Sequence, residues 1–344
     1  MNEYTQYQTK IEDVLKKNLP QILTKEWQKS IFSDLPECVK QKHIEPLIAP
    51  CRNLLNLGGK RWRPLLLVLS SGLPTTDGLI CDLAYELTPV VELVHTASLI
   101  HDDIEDAADI RRGEPCAHIT HGIDTAINSG SWLYFAAYAA IENAKIEITQ
   151  KQLLTQILTT QIRRLHLGQA MDIEWHKNNN SLPTSDEYMA MVRMKTGTLA
   201  SLASQVGIIA GGADISQSEK LGKIASDIGV AFQIHDDIIN LTTGNKGKKR
   251  GDDIVEGKKS MPILLHLQEK PHDFDKIMNC FAKARVEGIA SPSVEECISI
   301  INGSNALQKA KELGKSLKEN AILTIKNTWN NSASQKICNL FEIL

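Results

Sequence analysis

At 344 residues with 42% hydrophobic content the chain can bury a large core, and its length by itself allows one domain or two. A net charge of −3 and a pI near 6.4 leave no basic surplus of the kind nucleic-acid binders carry, so no nucleic-acid partner is expected. Seven cysteines (Cys38, Cys51, Cys81, Cys116, Cys280, Cys297 and Cys338) form no C-x-x-C pair, which speaks against a zinc cage or a disulfide framework and for reduced thiols in the cytoplasm.

The opening segment, MNEYTQYQTKIEDVLKKN, has no apolar stretch of signal-peptide type. The longest apolar run, at 132–141, falls short of the roughly 20 residues a membrane helix needs, so no stable membrane insertion is expected. Further along, apolar positions recur at three and four, the period of helices. Such stripes occupy 83–99, with Pro89 as a helix start or kink, then 126–141, 153–167, 188–209, 220–241 and 306–325. Glycine, proline and polar residues punctuate them at Gly58-Gly59, 113–115, 178–185, Gly211-Gly212, 244–251, Pro271 and 291–293. No segment is long or biased enough to be a linker, so the expectation is one all-α domain over 1–344. One string recurs, IHDDI, at 100–104 and again at 234–238, both times inside a helical stripe.

Acidic residues crowd the first copy, as Asp102, Asp103, Glu105, Asp106 and Asp109. On a helix Asp102 and Asp106 point the same way, about 5–6 Å apart at Cβ, while Asp103 is turned aside by roughly 100°. Two carboxylates at one spot repel unless a cation intervenes, and Mg²⁺, which takes oxygen ligands and keeps waters that a phosphate can replace, is suited to it. In the second copy the corresponding position is Asn240, leaving Asp236 to carry most of the charge. A single D-D-x-x-D is equally a solvated helix face. Two copies directly after apolar residues imply partly buried carboxylates, which are costly without a counter-ion. His101 and His235 precede the acids by one position and point elsewhere.

Basic residues accompany the acids. Lys60 and Arg63 stand at i and i+3 beside the Gly58-Gly59 pair; Arg111 and Arg112 follow the first acidic helix; Lys248, Lys249, Arg250 and Lys258 follow the second. The combination points to an anionic ligand held partly by Mg²⁺ and partly by cations.

An ordered motif series, GGKRWRP, HTASLIHDDIEDAADIRRGEPCAH, GQAMDI, KTGTL, FQIHDDIIN and GKKRGDDIVEGKKSMP, resembles the trans-isoprenyl diphosphate synthases (polyprenyl synthetases) over roughly 53–265. Within that family DDIEDAADIRRG, INSGSWLYF and the DDxxN form of the second motif look most like the geranylgeranyl diphosphate synthase branch. The resemblance implies an all-α bundle around a central cavity (the isoprenoid synthase fold), two aspartate-rich helices facing each other across its mouth, and a homodimer.

It further implies that Asp102, Asp106 and Asp236 hold three Mg²⁺ ions that grip an allylic diphosphate, also contacted by Arg111, Lys195, Lys258 and either Lys248 or Lys249. Lys60, Arg63, His95 and Arg112 would hold isopentenyl diphosphate; His95 lies two helical turns before Asp102, on the same face. Thr196 and Gln233 would steady the carbocation and orient the leaving diphosphate, with Gln169 and Asp172 lining the site. The reaction implied is ionisation of the allylic C–O bond, attack by the double bond of isopentenyl diphosphate, and loss of a proton to the departed diphosphate. Small residues at Ala97 and Ser98 allow the growing tail past the level of Asp102, with Trp132, Tyr134 and Phe135 as candidates for a lower floor, so a C20 product is expected. A farnesyl or longer-chain synthase, a terpene cyclase and a regulatory subunit of a prenyl synthase are the alternatives.

Overall fold

The helical period carries through into three dimensions. The structure, a computed structural model, describes residues 3–178, 182–244 and 249–344, so Lys248 lies outside the described residues. In chain order the helices are α1 (Thr5–Asn18), α2 (Lys25–Phe32), α3 (Gln41–Asn56), α4 (Trp62–Ser70), α5 (Asp82–Glu86), α6 (Thr88–Glu105), α7 (Ala117–His121), α8 (Ile123–Asn143), α9 (Ile148–Lys177), α10 (Ser185–Val192), α11 (Thr198–Ala210), α12 (Ile215–Thr242), α13 (Asp252–Glu256), α14 (Met261–Glu269), α15 (Phe274–Glu287), α16 (Pro292–Asn302), α17 (Ala306–Thr328) and α18 (Ser332–Ile343). A π-helical turn, Arg193–Gly197, joins α10 to α11. Pro89 stands in the first turn of α6, where a missing N–H goes unnoticed.

The chain divides into two compact units. The first comprises Met1–Ile162, Leu199–Lys223 and Ile325–Ile343; the second comprises Arg163–Thr198 and Ile224–Thr324. At the heart of the first lies α6, whose Val90, Val91, Val94, Ala97 and Ile100 are fully buried where it packs against α8, α3, α4 and α1. In the second, Leu241, Ile254, Ile263, Phe281 and Ile298 form one core and Tyr188, Val230, Ile234, Met261 and Leu264 another.

Helical periodicity had no room for a hairpin. Two-residue strands β1 (Ile110–Arg111) and β2 (Glu114–Pro115) pair antiparallel across Arg112-Gly113. Both turn residues have positive φ (56° and 87°), as a two-residue type I′ hairpin requires, with arginine where asparagine is usual.

The end of α6 has a related feature. The Ala107 N–H donates to the Ile104 carbonyl and the Ala108 N–H to the Asp103 carbonyl, a Schellman closure that places Ala107 in the left-handed region at φ 51°. Glycine relieves that backbone clash but adds freedom to the unfolded chain, so Ala107→Gly is expected to stabilise the protein by about 0.5–1 kcal/mol. A urea midpoint that falls in the variant would contradict it.

Candidate active site

The two IHDDI segments share one construction. In the first, Ile100 is fully buried, Asp103 is 1% exposed, and Asp102 remains half-buried at the surface of α6. In the second, Ile234 is fully buried, Asp237 is 4% exposed, and Asp236 is half-buried on α12. The isoleucine and the second aspartate point inward, which leaves the first aspartate displayed.

Each inward aspartate is held by the protein. Arg111 donates from Nε to Asp103 Oδ1 at 2.7 Å and adds a second contact from Nη2, while the same Nη2 lies 3.6 Å from Asp102. The hairpin is what turns Arg111 back onto α6. Asp237 accepts hydrogen bonds from the Tyr188 hydroxyl, Gln233 Nε2 (3.1 Å) and the Met261 N–H (3.0 Å). Burial, then the neighbouring Asp253, pushes the Asp237 carboxyl up to about 7. Gln233 is thereby oriented: its amide nitrogen faces Asp237 and its Oε1 accepts from Thr196 Oγ1 at 3.2 Å.

Asp106 caps α6 and does not lie within it, yet its N–H still donates to the Asp102 carbonyl at 2.8 Å, so the i, i+4 relation holds. The corresponding Asn240 is buried and differently engaged. Its Oδ1 accepts from the Asp253 N–H at 3.1 Å and its Nδ2 donates to the Lys249 carbonyl at 3.4 Å, so it fastens the 249–253 loop to α12.

These carboxylates fit Mg²⁺ in a specific way. Asp102, Asp106 and Asp236, all half-buried, offer hard oxygen donors, while Asp103, Asp237 and Asn240 are buried and hydrogen-bonded to protein groups. Among the described residues no group of three or more His, Cys, Asp or Glu side chains could hold a metal by itself. Mg²⁺ bound through one or two carboxylates and completed by substrate phosphates needs no such cage.

The first unit contains Lys60, and it brings Arg63, Arg111 and Arg112 close to His95. The Arg63 guanidinium lies over the Trp62 ring, 4.5 Å from its centroid. Arg112 donates to the Gly58 carbonyl, and its guanidinium covers Gly59, where a Cβ would approach it to 3.1 Å. The glycine pair thus makes room for an arginine. Burial, then Arg63, Arg112, Arg111 and Arg61, holds His95 well below the usual imidazole range, so it is neutral at pH 7. Its Nδ1 is buried with no hydrogen-bond partner.

The second unit contains Asp172, Lys195, Thr196, Gln233, Asp236 and Lys258. Lys195 sits in the π-helical turn and reaches Asp172 Oδ2 at 2.6 Å. Such turns often occur at functional sites. Any Cβ on Gly168 would collide with the Lys195 backbone, so glycine is what lets that turn lie against α9. Burial would raise the Asp172 carboxyl, but Lys195, His176 and Lys258 overcome it and hold it far below the usual range. Lys258 also pairs with Glu256 at 2.5 Å.

Several supporting groups were not singled out from sequence: Arg61, Glu92, Tyr188, Lys259 and Arg285. Lys259 donates to the Trp175 carbonyl and to that of Asn178 (3.3 Å), and Arg285 to the His176 carbonyl (2.6 Å), closing the carboxyl end of α9. No spacing rule exposes such roles, because their partners are main-chain atoms far along the chain. Conversely, Phe135 is 76% exposed and so is no floor within this chain, whereas Trp132 stacks on Phe32 and Tyr134 on His101.

Residues 44–301 match the family model described as polyprenyl synthetase. A short chain isoprenyl diphosphate synthase from Methanocaldococcus jannaschii is 36% identical over 255 residues, 74% of this chain and 75% of that one. A geranylgeranyl diphosphate synthase from Sulfolobus acidocaldarius is 33% identical over 276 residues, covering 78% and 81%. The crystal structure of the geranylgeranyl pyrophosphate synthetase from Pyrococcus horikoshii superposes with a TM-score of 0.82 at 27% identity, covering 98% of this chain and 95% of that one. The chain belongs to the polyprenyl synthetase family. It is a prenyltransferase of the isoprenyl diphosphate synthase class with the all-α isoprenoid synthase fold.

Proposed function

We propose that this chain condenses isopentenyl diphosphate head to tail with an allylic prenyl diphosphate to give trans-geranylgeranyl diphosphate (C20), as a cytoplasmic homodimer. The observation that carries the reading is the shared construction of the two IHDDI segments, each displaying one aspartate while protein groups pin the next. Asp102, Asp106 and Asp236 are assigned to Mg²⁺, which when bound neutralises the allylic diphosphate and eases its departure. Arg111, Lys195, Lys258 and either Lys248 or Lys249 hold that leaving group.

Lys60, Arg63, Arg112 and neutral His95 hold isopentenyl diphosphate, His95 as an uncharged hydrogen-bonding group. The Gln233 oxygen and Thr196 hydroxyl, positioned through Asp237, supply fixed dipoles to the allylic cation. As the allylic C–O bond breaks, the isopentenyl double bond forms the new C–C bond, and a proton passes to the freed diphosphate. Relatives named as geranylgeranyl diphosphate synthases, and the small Ala97 and Ser98 before Asp102, support the C20 length. A terpene cyclase needs no second diphosphate site, so the cluster of Lys60, Arg63, His95 and Arg112 favours a synthase.

An exposed apolar stripe on α8, Ile123, Ile127, Phe135 and Tyr138, supports self-association. The cysteines are free thiols, which supports a reducing compartment, and no helix of the described residues is long and apolar enough to cross a membrane.

The test supplies dimethylallyl, geranyl or farnesyl diphosphate in turn with labelled isopentenyl diphosphate and Mg²⁺, and resolves products by chain length. A dominant C20 product from all three primers is expected. Hydrocarbon without incorporated label would make the chain a cyclase, and no turnover by the purified protein would make it a subunit of a larger synthase. Light scattering tests the dimer.

A further inference from the structure

Lys60 and Arg63 are three apart, but they do not share a helical face by virtue of that spacing: α4 begins at Trp62, so Lys60 lies outside it. What sets their relation is Arg61. Its backbone is left-handed, at φ 48° and ψ 26°, a conformation that costs a residue with Cβ about 1 kcal/mol and persists only where its surroundings over-determine it. Those surroundings are three hydrogen bonds to three separate segments. The Arg61 guanidinium, 3% exposed, donates from Nε to Glu12 of α1 (2.6 Å), from Nη1 to Glu92 of α6 (2.5 Å) and from Nη2 to the Leu55 carbonyl near the end of α3 (2.5 Å).

We propose that Arg61, clasped by Glu12 and Glu92, is a positioning residue for the isopentenyl diphosphate site, and that α1 is through Glu12 a working part of that site. The inference rests on the assignment of Lys60 and Arg63 to isopentenyl diphosphate. With its side chain drawn inward, Arg61 turns the chain so that Lys60 faces solvent and Arg63 lies over Trp62. Its charge is matched by two carboxylates, so it adds nothing to the pull on an anion. Its removal would also leave buried Glu92 uncompensated near Arg63 and Arg112, where it would draw in the cations meant for the ligand.

The test measures KM for each substrate and kcat at saturation in the full-length protein, together with helical circular dichroism. In Arg61→Met, KM for isopentenyl diphosphate should rise about tenfold or more, while KM for the allylic substrate and kcat stay within about threefold. Arg61→Lys, able to satisfy fewer partners, should fall between. Glu12→Gln changes a side chain that is 32% exposed and keeps its hydrogen-bonding shape, so it folds even if Arg61→Met does not; it should raise the same KM about threefold. Adding Glu12→Gln to Arg61→Met should have little further effect, because the pair acts as a unit. A wild-type KM for isopentenyl diphosphate in folded Glu12→Gln, or equal losses toward both substrates, overturns the proposal. Failure of the wild-type protein to incorporate isopentenyl diphosphate overturns the functional reading, and this inference with it.

Discussion

Asp102→Asn should lower turnover by about 10²- to 10³-fold with the fold unchanged, the loss expected when one well-placed electrostatic contact to a developing anion is removed, about 3–4 kcal/mol. Asp102 is the half-buried carboxylate of its pair, and Arg111, 3.6 Å from it, also holds Asp103. Neutralising it removes like-charge repulsion with Asp106, so the urea midpoint should hold or rise slightly. The Mg²⁺ concentration giving half-maximal rate should increase. Asp103→Asn provides the contrast, because there the partner Arg111 is partly buried and the loss is one of stability. Near-normal turnover by Asp102→Asn would remove that carboxylate from any metal role.

Asp172→Asn should destabilise the protein by about 3 kcal/mol at pH 7, at the low end for a broken buried ion pair because Asp172 and Lys195 retain 13% and 23% exposure. The pH dependence gives this expectation its sign. Lys195, His176 and Lys258 hold the folded carboxyl far below its unfolded value of about 4. A carboxylate depressed on folding contributes stability that is fully present above the unfolded value and is lost as pH falls toward the folded one. The gap between wild type and variant should therefore be constant from pH 7 to 5 and narrow below pH 4. Urea denaturation at several pH values would measure it, and a gap indifferent to acid would rule out an ionised Asp172 paired with Lys195. Turnover should fall as well, since Lys195 loses the group that aims it.

The motif residues were legible for different reasons. Asp102 and Asp106 follow from a spacing that a helix converts directly into proximity, and Asp106 keeps that relation even from the cap. Local propensity also marked Pro89, which stands in the first turn of α6, as a helix start or kink, and it marked the helical stripes. Arg112 was legible as a cation but not as the residue that covers Gly59, and Lys60 and Arg63 were legible as a pair but not for the reason their spacing suggests. In each case the deciding feature is a left-handed backbone held by contacts from elsewhere, which short-range pattern does not record. The repeated IHDDI marked both carboxylate sites, yet its second aspartates were not distinguishable from its first until Arg111 and Tyr188 were seen against them.

By itself the sequence determined the helical class, the motif order that marks an isoprenyl diphosphate synthase, and which carboxylates share a helix face, because periodicity and i, i+4 geometry depend only on neighbours along the chain. Tertiary structure alone decided which acids are half-buried and which are buried and pinned, that Asn240 fastens a loop, and that Arg61 is clasped by Glu12 and Glu92. Those outcomes depend on burial and on hydrogen-bond partners 8 to 49 residues away along the chain, and the free energy of a buried charge is set by what surrounds it in space.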